Sequence, residues 1–343
     1  VPEGADKIKE TVVIRRFQLN QGRRALSLAA CGALAMLAGC GHKGGDAAPA
    51  LASQQAVLRV DQFQAAASNG KLAVAVGGRG AVVSAVDGTR SVRVTLPGTP
   101  ALIDVASCAD GSFAALDFYR KVWFSDDSAA NWTSRSIEGS WRPLALTCDS
   151  RNKVWVVGSG TTIASSADRG ASWEQRDFKE DAMFNSIQFV DADNGFITGE
   201  FGAVYRSTDG GASWNAAPKI PNDFYPYAAL FVSPLEGYVS GLAGAMLHTV
   251  DGAKSWSALE NPGALPQFGL ARQGGAIYSV GMGGSLQRLD NKRWTTLDYG
   301  TRAPAFLRAI APAGADRLLI AGALGAFKLV PASAVATTIQ VKE

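Results

Sequence analysis

The sequence predicts an all-β fold, a seven-bladed β-propeller of four-stranded antiparallel blades, and three observations carry that prediction. Pairs of apolar strands joined by Gly-x-x-Gly recur along the chain. In the best copies a Ser/Thr-x-Asp-x-Gly-x-x-Trp turn follows about ten residues later. Both marks keep one period of about forty-one residues, as in folds assembled from repeated copies of one small unit.

The first mark is clearest in VGGRGAVVS, ITGEFGAVYRS, VSGLAGAMLHT, SVGMGGSLQRL and IAGALGAFKLV, whose leading glycines are Gly77, Gly199, Gly241, Gly281 and Gly322. VVGSGTTIASS adds Gly158, and LDFYRKVWFS puts Asp117 where the other copies have glycine. Successive positions are 40, 41, 41, 42, 40 and 41 residues apart.

The second mark has three good copies: Ser166, Asp168, Gly170 and Trp173; Ser207, Asp209, Gly211 and Trp214; and Thr249, Asp251 and Trp256. A looser copy holds Ser125, Asp127 and Trp132, and degenerate ones are read around Asp87 and at Asp290–Trp294. Such a box suits a hairpin turn: the carboxylate accepts backbone N–H groups, glycine supplies positive φ, and tryptophan packs beneath. Because the box recurs around the ring, its residues are read as architecture rather than as calcium or sugar ligands.

Within one repeat the strands are expected at Ser186–Val190, Phe196–Thr198, Ala203–Arg206 and from Trp214 onward, with a turn at Asp191–Gly195. Four antiparallel strands repeated radially make a propeller blade. Seven such blades are assigned to residues 57–343. Ring closure has two candidates, Thr337–Lys342 or the segment Val57–Val60.

The first forty residues read as an address. Arg23-Arg24 precede an uncharged apolar run, Ala25 to Ala38, that ends in Leu37-Ala38-Gly39-Cys40. A basic flank, a short apolar run and small residues before a cut site describe a secretory signal, and the run is shorter than the roughly twenty residues of a membrane span. The ending resembles the bacterial lipobox, which implies lipid attachment at Cys40. With Gly41 rather than aspartate after it, the resemblance implies an exported chain on the periplasmic face of a membrane, the outer membrane favoured. Residues 41–56 are small and polar, as expected of a flexible tether. Six of the 33 Lys and Arg and three of the 30 acids precede residue 40, so the remainder is charge-balanced. That balance gives no basic footprint for nucleic acid.

Catalytic chemistry is not apparent. The two histidines, His42 and His248, form no metal cluster. Gly77-Gly78-Arg79-Gly80 resembles a phosphate loop only until its repetition in other blades makes it a hairpin turn. No catalytic residue, cofactor or metal is assigned. Cys108 and Cys148 occupy equivalent positions in adjacent repeats, either as a disulfide, which an exported chain permits, or as two small buried residues.

A partner is expected on the face opposite the boxes, where second-to-third strand turns meet the connections between blades. Arg79, Phe118, Tyr119, Arg120, Trp141, Arg142, Phe201, Tyr225 and Arg302 collect there, and aromatics with arginine are the composition of protein-binding hot spots. Tyr227, Phe268 and Phe306 are expected to pack between blades instead. The second repeat, where Asp117-Phe118-Tyr119-Arg120-Lys121 breaks the glycine pattern, is the favoured place.

The box is the Asp-box, or BNR repeat, and phrases such as NGFITGEFGAVYRSTDGGASW resemble the photosystem II stability/assembly factor propellers. The resemblance covers nearly all of residues 57–343. It implies a non-enzymatic, lipid-anchored scaffold, monomeric, that binds a membrane protein or its assembly intermediate through an arginine-bearing face. That partner is either of the photosynthetic apparatus or of another membrane complex. Asp-boxes also occur in sialidases, so a glycan-binding or glycan-cleaving propeller is the alternative, although the Arg-Ile-Pro-like motif of sialidases is missing from the start of the domain.

Overall fold

The computed structural model describes residues 55–334 apart from 85–87, 89 and 304. The expected signal at 1–40 with Cys40, most of the tether, the degenerate box at Asp87 and the segment Thr337–Lys342 lie outside the described residues. The chain divides into two units, Val1–Ala52 and Ser53–Glu343, and the strands among the described residues belong to the second.

Every sheet is an antiparallel meander in chain order. Blade 1 is β1 (Phe63–Ser68), β2 (Ala73–Gly77), β3 (Ala81–Ser84) and β4 (Val92–Thr95). Blade 2 is β5 (Leu102–Ser107), β6 (Phe113–Asp117), β7 (Lys121–Ser125) and β8 (Trp132–Ser136). Blade 3 is β9 (Pro143–Cys148), β10 (Val154–Gly158), β11 (Thr162–Ser166) and β12 (Glu174–Asp177). Blade 4 is β13 (Phe184–Phe189), β14 (Gly195–Gly199), β15 (Val204–Ser207) and β16 (Asn215–Ala216). Blade 5 is β17 (Pro226–Phe231), β18 (Gly237–Gly241), β19 (Met246–Thr249) and β20 (Ser257–Ala258). Blade 6 is β21 (Gln267–Gln273), β22 (Ala276–Gly281), β23 (Leu286–Asp290) and β24 (Arg293–Thr296). The last sheet holds β25 (Leu307–Ala313), β26 (Arg317–Gly322) and β27 (Phe327–Pro331).

The expected count of seven four-stranded blades is therefore corrected. Six blades have four strands, and β25–β27 make a three-stranded sheet among the described residues. One candidate for a fourth strand is removed by local chemistry. Val57–Val60 forms a turn, because the Asp61 carboxylate accepts the Leu58 N–H at 2.7 Å and the Leu58 carbonyl accepts the Asp61 N–H at 3.0 Å. Among the described residues, the first and last sheets meet by side-to-side packing. Phe63, Ala73 and Ala75 share a core with Ala309, Leu319 and Ala321, and the Gly325 N–H donates to the Asp61 carbonyl at 2.9 Å.

The second strand of a blade is buried along its whole length in β2, β6, β10, β14 and β18, because each of its two faces meets a neighbouring blade. Apolar runs rather than alternation follow from burial on both faces. The periodic glycine has a more local cause than turn flexibility. It ends the second strand opposite a register shift in the first, as between Phe184 and Ser186. A Cβ on Gly158 would stand 2.0 Å from the Arg142 carbonyl oxygen. The bulge, not the turn, requires glycine there.

The degenerate box at Asp290–Trp294 is a different structure. Asp290 pairs across from Arg293, leaving Asn291 and Lys292 as a two-residue turn with φ of 50° and 67°. Positive φ at both central residues is the tight hairpin type that matches strand twist, so this turn has no room for a box.

Candidate partner-binding face

The three good boxes are alike in detail. Ser166 Oγ donates to Asp168 Oδ1 (2.8 Å) and accepts the Gly170 N–H (2.7 Å), while Asp168 accepts the backbone N–H and the hydroxyl of Ser172. Ser207, Asp209, Gly211 and Ser213 repeat the pattern. Thr249, Asp251, Ala253 and Ser255 repeat it again. The serine hydroxyl of each turn, with its backbone N–H, holds the carboxyls of Asp168, Asp209 and Asp251 down at about 2. Gly211 has φ of 84°, and a Cβ there would meet Trp155 of blade 3 at 2.3 Å, so the turn also docks on the preceding blade. The indole nitrogens of Trp173, Trp214 and Trp256 are buried without a hydrogen-bond partner; these rings serve as apolar wedges. In the looser copy Asp127 pairs instead with Lys71 (3.2 Å), Ser125 Oγ donates to the Asp126 carbonyl, and the Trp132 indole donates to the Ala129 carbonyl.

On the opposite face the second-to-third turns are tied to the connections between blades, as where the Gly202 N–H donates to the Phe224 carbonyl at 2.7 Å. Five of the expected residues come together at the junction of blades 2 and 3. Asp117 organises them: its buried carboxylate accepts the N–H groups of Tyr119 and Lys121 and the Trp123 indole. Phe118 and Tyr119 project from that turn, exposed to 42% and 72%, with rings 5.4 Å apart edge to face. Arg142 lies over Phe118, and Arg120 donates to the Gly139 carbonyl. The Trp141 indole donates to Gln175 at 3.0 Å.

The other four are spread around the ring. Phe201 stands on the blade 4 turn, exposed, with φ of 55°. Tyr225 is half-buried in the neighbouring connection, and burial, then the Glu200 carboxylate, pushes its phenol up. Arg79 is exposed at the blade 1 turn and Arg302 in the connection after blade 6. Tyr227, Phe268 and Phe306 link successive sheets, with ring centroids 5.2 and 5.9 Å apart.

Asp104 was not singled out from the sequence. It interrupts the apolar inner strand LIDVAS and bridges two blades, accepting the Val105 N–H (2.9 Å) and the Leu146 N–H of blade 3 (2.8 Å). Burial pushes its carboxyl up to about 6, against the opposing pull of those N–H groups and Arg308. Cys108 and Cys148 are joined as a disulfide across the same two blades, their Cα atoms 5.0 Å apart, within the usual span.

Two tyrosine–glutamate pairs invite comparison with sialidase chemistry. Tyr205 donates to Glu180 and Tyr238 to Glu236, both at 2.5 Å. Burial, and then the adjacent carboxylate, pushes the Tyr205 phenol up to about 12 and raises that of Tyr238 as well. No group of three or more His, Cys, Asp or Glu among the described residues is placed to hold a metal ion.

These features define an Asp-box β-propeller with an aromatic and arginine-bearing face. Residues 109–206 and 171–271 match the family described as photosynthesis system II assembly factor YCF48. It is 33% identical over 102 residues to photosystem II assembly protein Ycf48 of Synechococcus sp. (strain JA-2-3B'a(2-13)), covering 28% of this chain and 31% of the relative. It is 30% identical over 109 residues to photosystem II assembly lipoprotein Ycf48 of Synechococcus sp. (strain CC9902), covering 30% and 33%. The chain thus spans about a third of the length of the curated relatives it matches.

Among solved structures, YCF48 bound to D1 peptide has a TM-score of 0.65 at 12% identity, over 79% of this chain and 92% of that one. YCF48 from Cyanidioschyzon merolae has 0.64 at 15%, over 79% and 95%. A catalytically inactive virginiamycin B lyase from Staphylococcus aureus has 0.68 at 11%, over 79% and 96%. Likeness at these identities shows the fold alone.

Proposed function

We propose that this chain is a non-enzymatic assembly factor, anchored by lipid at Cys40, that binds a membrane protein or its assembly intermediate through the face opposite the Asp-boxes. The observation that carries this reading is the cluster of Phe118, Tyr119, Arg120 and Arg142, where the repeat is broken and two aromatic rings stand exposed beside guanidinium groups. Desolvation of such rings against a partner supplies binding energy, and arginine adds directional contacts. The relatives are named as assembly proteins and lipoproteins, which supports both the role and the anchor. A propeller of the same fold is described as bound to a D1 peptide, which supports a segment of a membrane protein as the ligand. In this reading the propeller is a monomer, exported, and held on the outer membrane.

The test is crosslinking capture from membranes by the native lipoprotein and by its Tyr119→Ala/Arg120→Ala variant. Loss of one specific membrane-protein adduct in the variant, with folding retained, is expected. Unchanged capture would remove this face from the mechanism. Specific sugar binding on a glycan array, or turnover of a sialoside, would replace the scaffold reading.

A further inference from the structure

The exposed apolar side chains are distributed very unequally. Among the described residues, large apolar side chains exposed on the Asp-box side are Leu235 and Val250, and Val92 lies on an outer strand. The opposite face presents Val60, Phe118, Tyr119, Met282 and Leu324 on the arc from blade 6 to blade 2, and Phe201, Tyr227, Leu242 and Leu265 on the remaining arc, so apolar tips ring the whole face and charge distinguishes its two arcs. Projecting apolar tips also suit insertion into a soft, disordered medium. Tyr119 adds an amphipathic aromatic body of the kind that rests at a bilayer's headgroup level, and Phe118 beside it adds apolar surface.

Charge divides this face. Arg59, Arg79, Arg142 and Arg302 are exposed around the arc that runs from blade 6 through the last sheet to blade 2, against Glu138 and Asp298. The far arc, on the connections of blades 3 to 6, exposes Glu180, Asp181 and Asp223 with Lys179 and Lys219, while Glu260 there is paired with Arg293. The basic arc is also where the described chain begins: Leu58 and Asp61 lie against Gly325 in the turn that carries Leu324. Cys40 precedes Gln55 by 15 residues, and a Gly-, Ala- and Ser-rich linker of that length has an r.m.s. span of about 20 Å. A lipid on Cys40 would therefore hold this arc, in preference to the Asp-box face, close to the membrane.

We propose that the arc formed by blades 6, 1 and 2 with the last sheet docks directly on a bilayer bearing anionic headgroups, its apolar tips entering the interface and its arginines meeting the phosphates. The inference rests on the anchored reading above. Docking fixes the ring's orientation, with the far acidic arc tilted away and the Phe118 cluster held at the membrane surface.

The experiment uses the purified lipoprotein with one environment-sensitive fluorophore attached through Leu324→Cys, Tyr119→Cys or Val250→Cys. Vesicles are phosphatidylcholine with and without phosphatidylglycerol. Labels at 324 and 119 are expected to shift to the blue and brighten several-fold on the anionic vesicles, with a weaker response after Arg79→Glu/Arg302→Glu, while the label at 250 stays unchanged. An equal response at 250, or none at any position, would overturn the proposal. A response that needs an added membrane-protein partner would overturn it in favour of protein docking, leaving the proposed function standing. A response without vesicles that rises with protein concentration would make the face a contact with a second copy. Mass spectrometry of the N-terminal peptide tests the anchor separately. If Cys40 carries no lipid that reading falls, and the same labels then decide docking alone.

Discussion

The guanidinium of Arg142, in the connection leading into blade 3, lies 4.4 Å from the centre of the Phe118 ring on the blade 2 turn. Two blades thereby share one aromatic and cationic surface feature. Its energy at an exposed site is about 0.5–1 kcal/mol, too little to hold the blades together and enough to orient Phe118 beside Tyr119.

Phe118→Ala and Arg142→Ala are each expected to weaken partner capture about 5- to 30-fold, the effect of losing about 1–2 kcal/mol at a hot spot. The double variant should fall short of the product, because one residue positions the other. Titrated crosslinking measures this, with circular dichroism to check folding.

Phe201 adopts φ of 55°, where the equivalent residue of blade 6 is Gly283 at 65°. A bulky residue held in the left-handed region costs about 1–3 kcal/mol, and half of this ring is in solvent. Phe201→Gly is accordingly expected to leave thermal stability unchanged or raised, while weakening partner capture. A lowered unfolding midpoint would show that the ring is structural.

Asp209 and Asp127 hold matching sequence positions but different contacts, Asp209 bonding within its own turn and Asp127 pairing with Lys71 across blades. Asp209→Ala should lower the unfolding midpoint and Asp127→Ala should barely move it, since exposed ion pairs contribute little. The Asp209 effect should depend on pH. Its folded-state carboxyl lies near 2 rather than 3.8, so its contribution is present above about 4 and is lost as pH falls toward 2. Unfolding followed from pH 7 to pH 2 should show the two proteins converging.

Asp104 has the opposite sign. With its carboxyl pushed up to about 6, its contribution is complete below pH 4 and is lost as pH rises through 6. Asp104→Asn removes the charge and keeps an acceptor for the Leu146 N–H but loses the one for Val105. Its stability relative to the parent is therefore expected to rise by about 1–3 kcal/mol from pH 4 to pH 7. Denaturant titrations at the two pH values decide it.

How much was legible in advance follows from how local each cause is. The boxes around Asp168, Asp209 and Asp251 were readable because every bond in them joins residues no more than four apart. The glycine series was readable as a period but not as a cause, since the carbonyl that excludes a Cβ from Gly158 belongs to Arg142. Asp290–Trp294 misled because a tight hairpin and a box share an aspartate and a tryptophan, and only the pairing of Asp290 with Arg293 separates them.

The sequence by itself determined that this chain is an all-β array of Asp-box repeats, because repeated local turns write themselves at a fixed period. The tertiary structure decided the rest. Among the described residues it gave six four-stranded blades and a three-stranded last sheet where seven full blades were expected, and Val57–Val60 adds no strand because Asp61 folds it into a turn against Gly325. It also gathered Phe118, Tyr119, Arg120, Trp141 and Arg142 into one cluster and left Arg79, Phe201, Tyr225 and Arg302 dispersed. Which tips meet depends on ring geometry and the reach of side chains across blades, and neither is encoded within a single repeat.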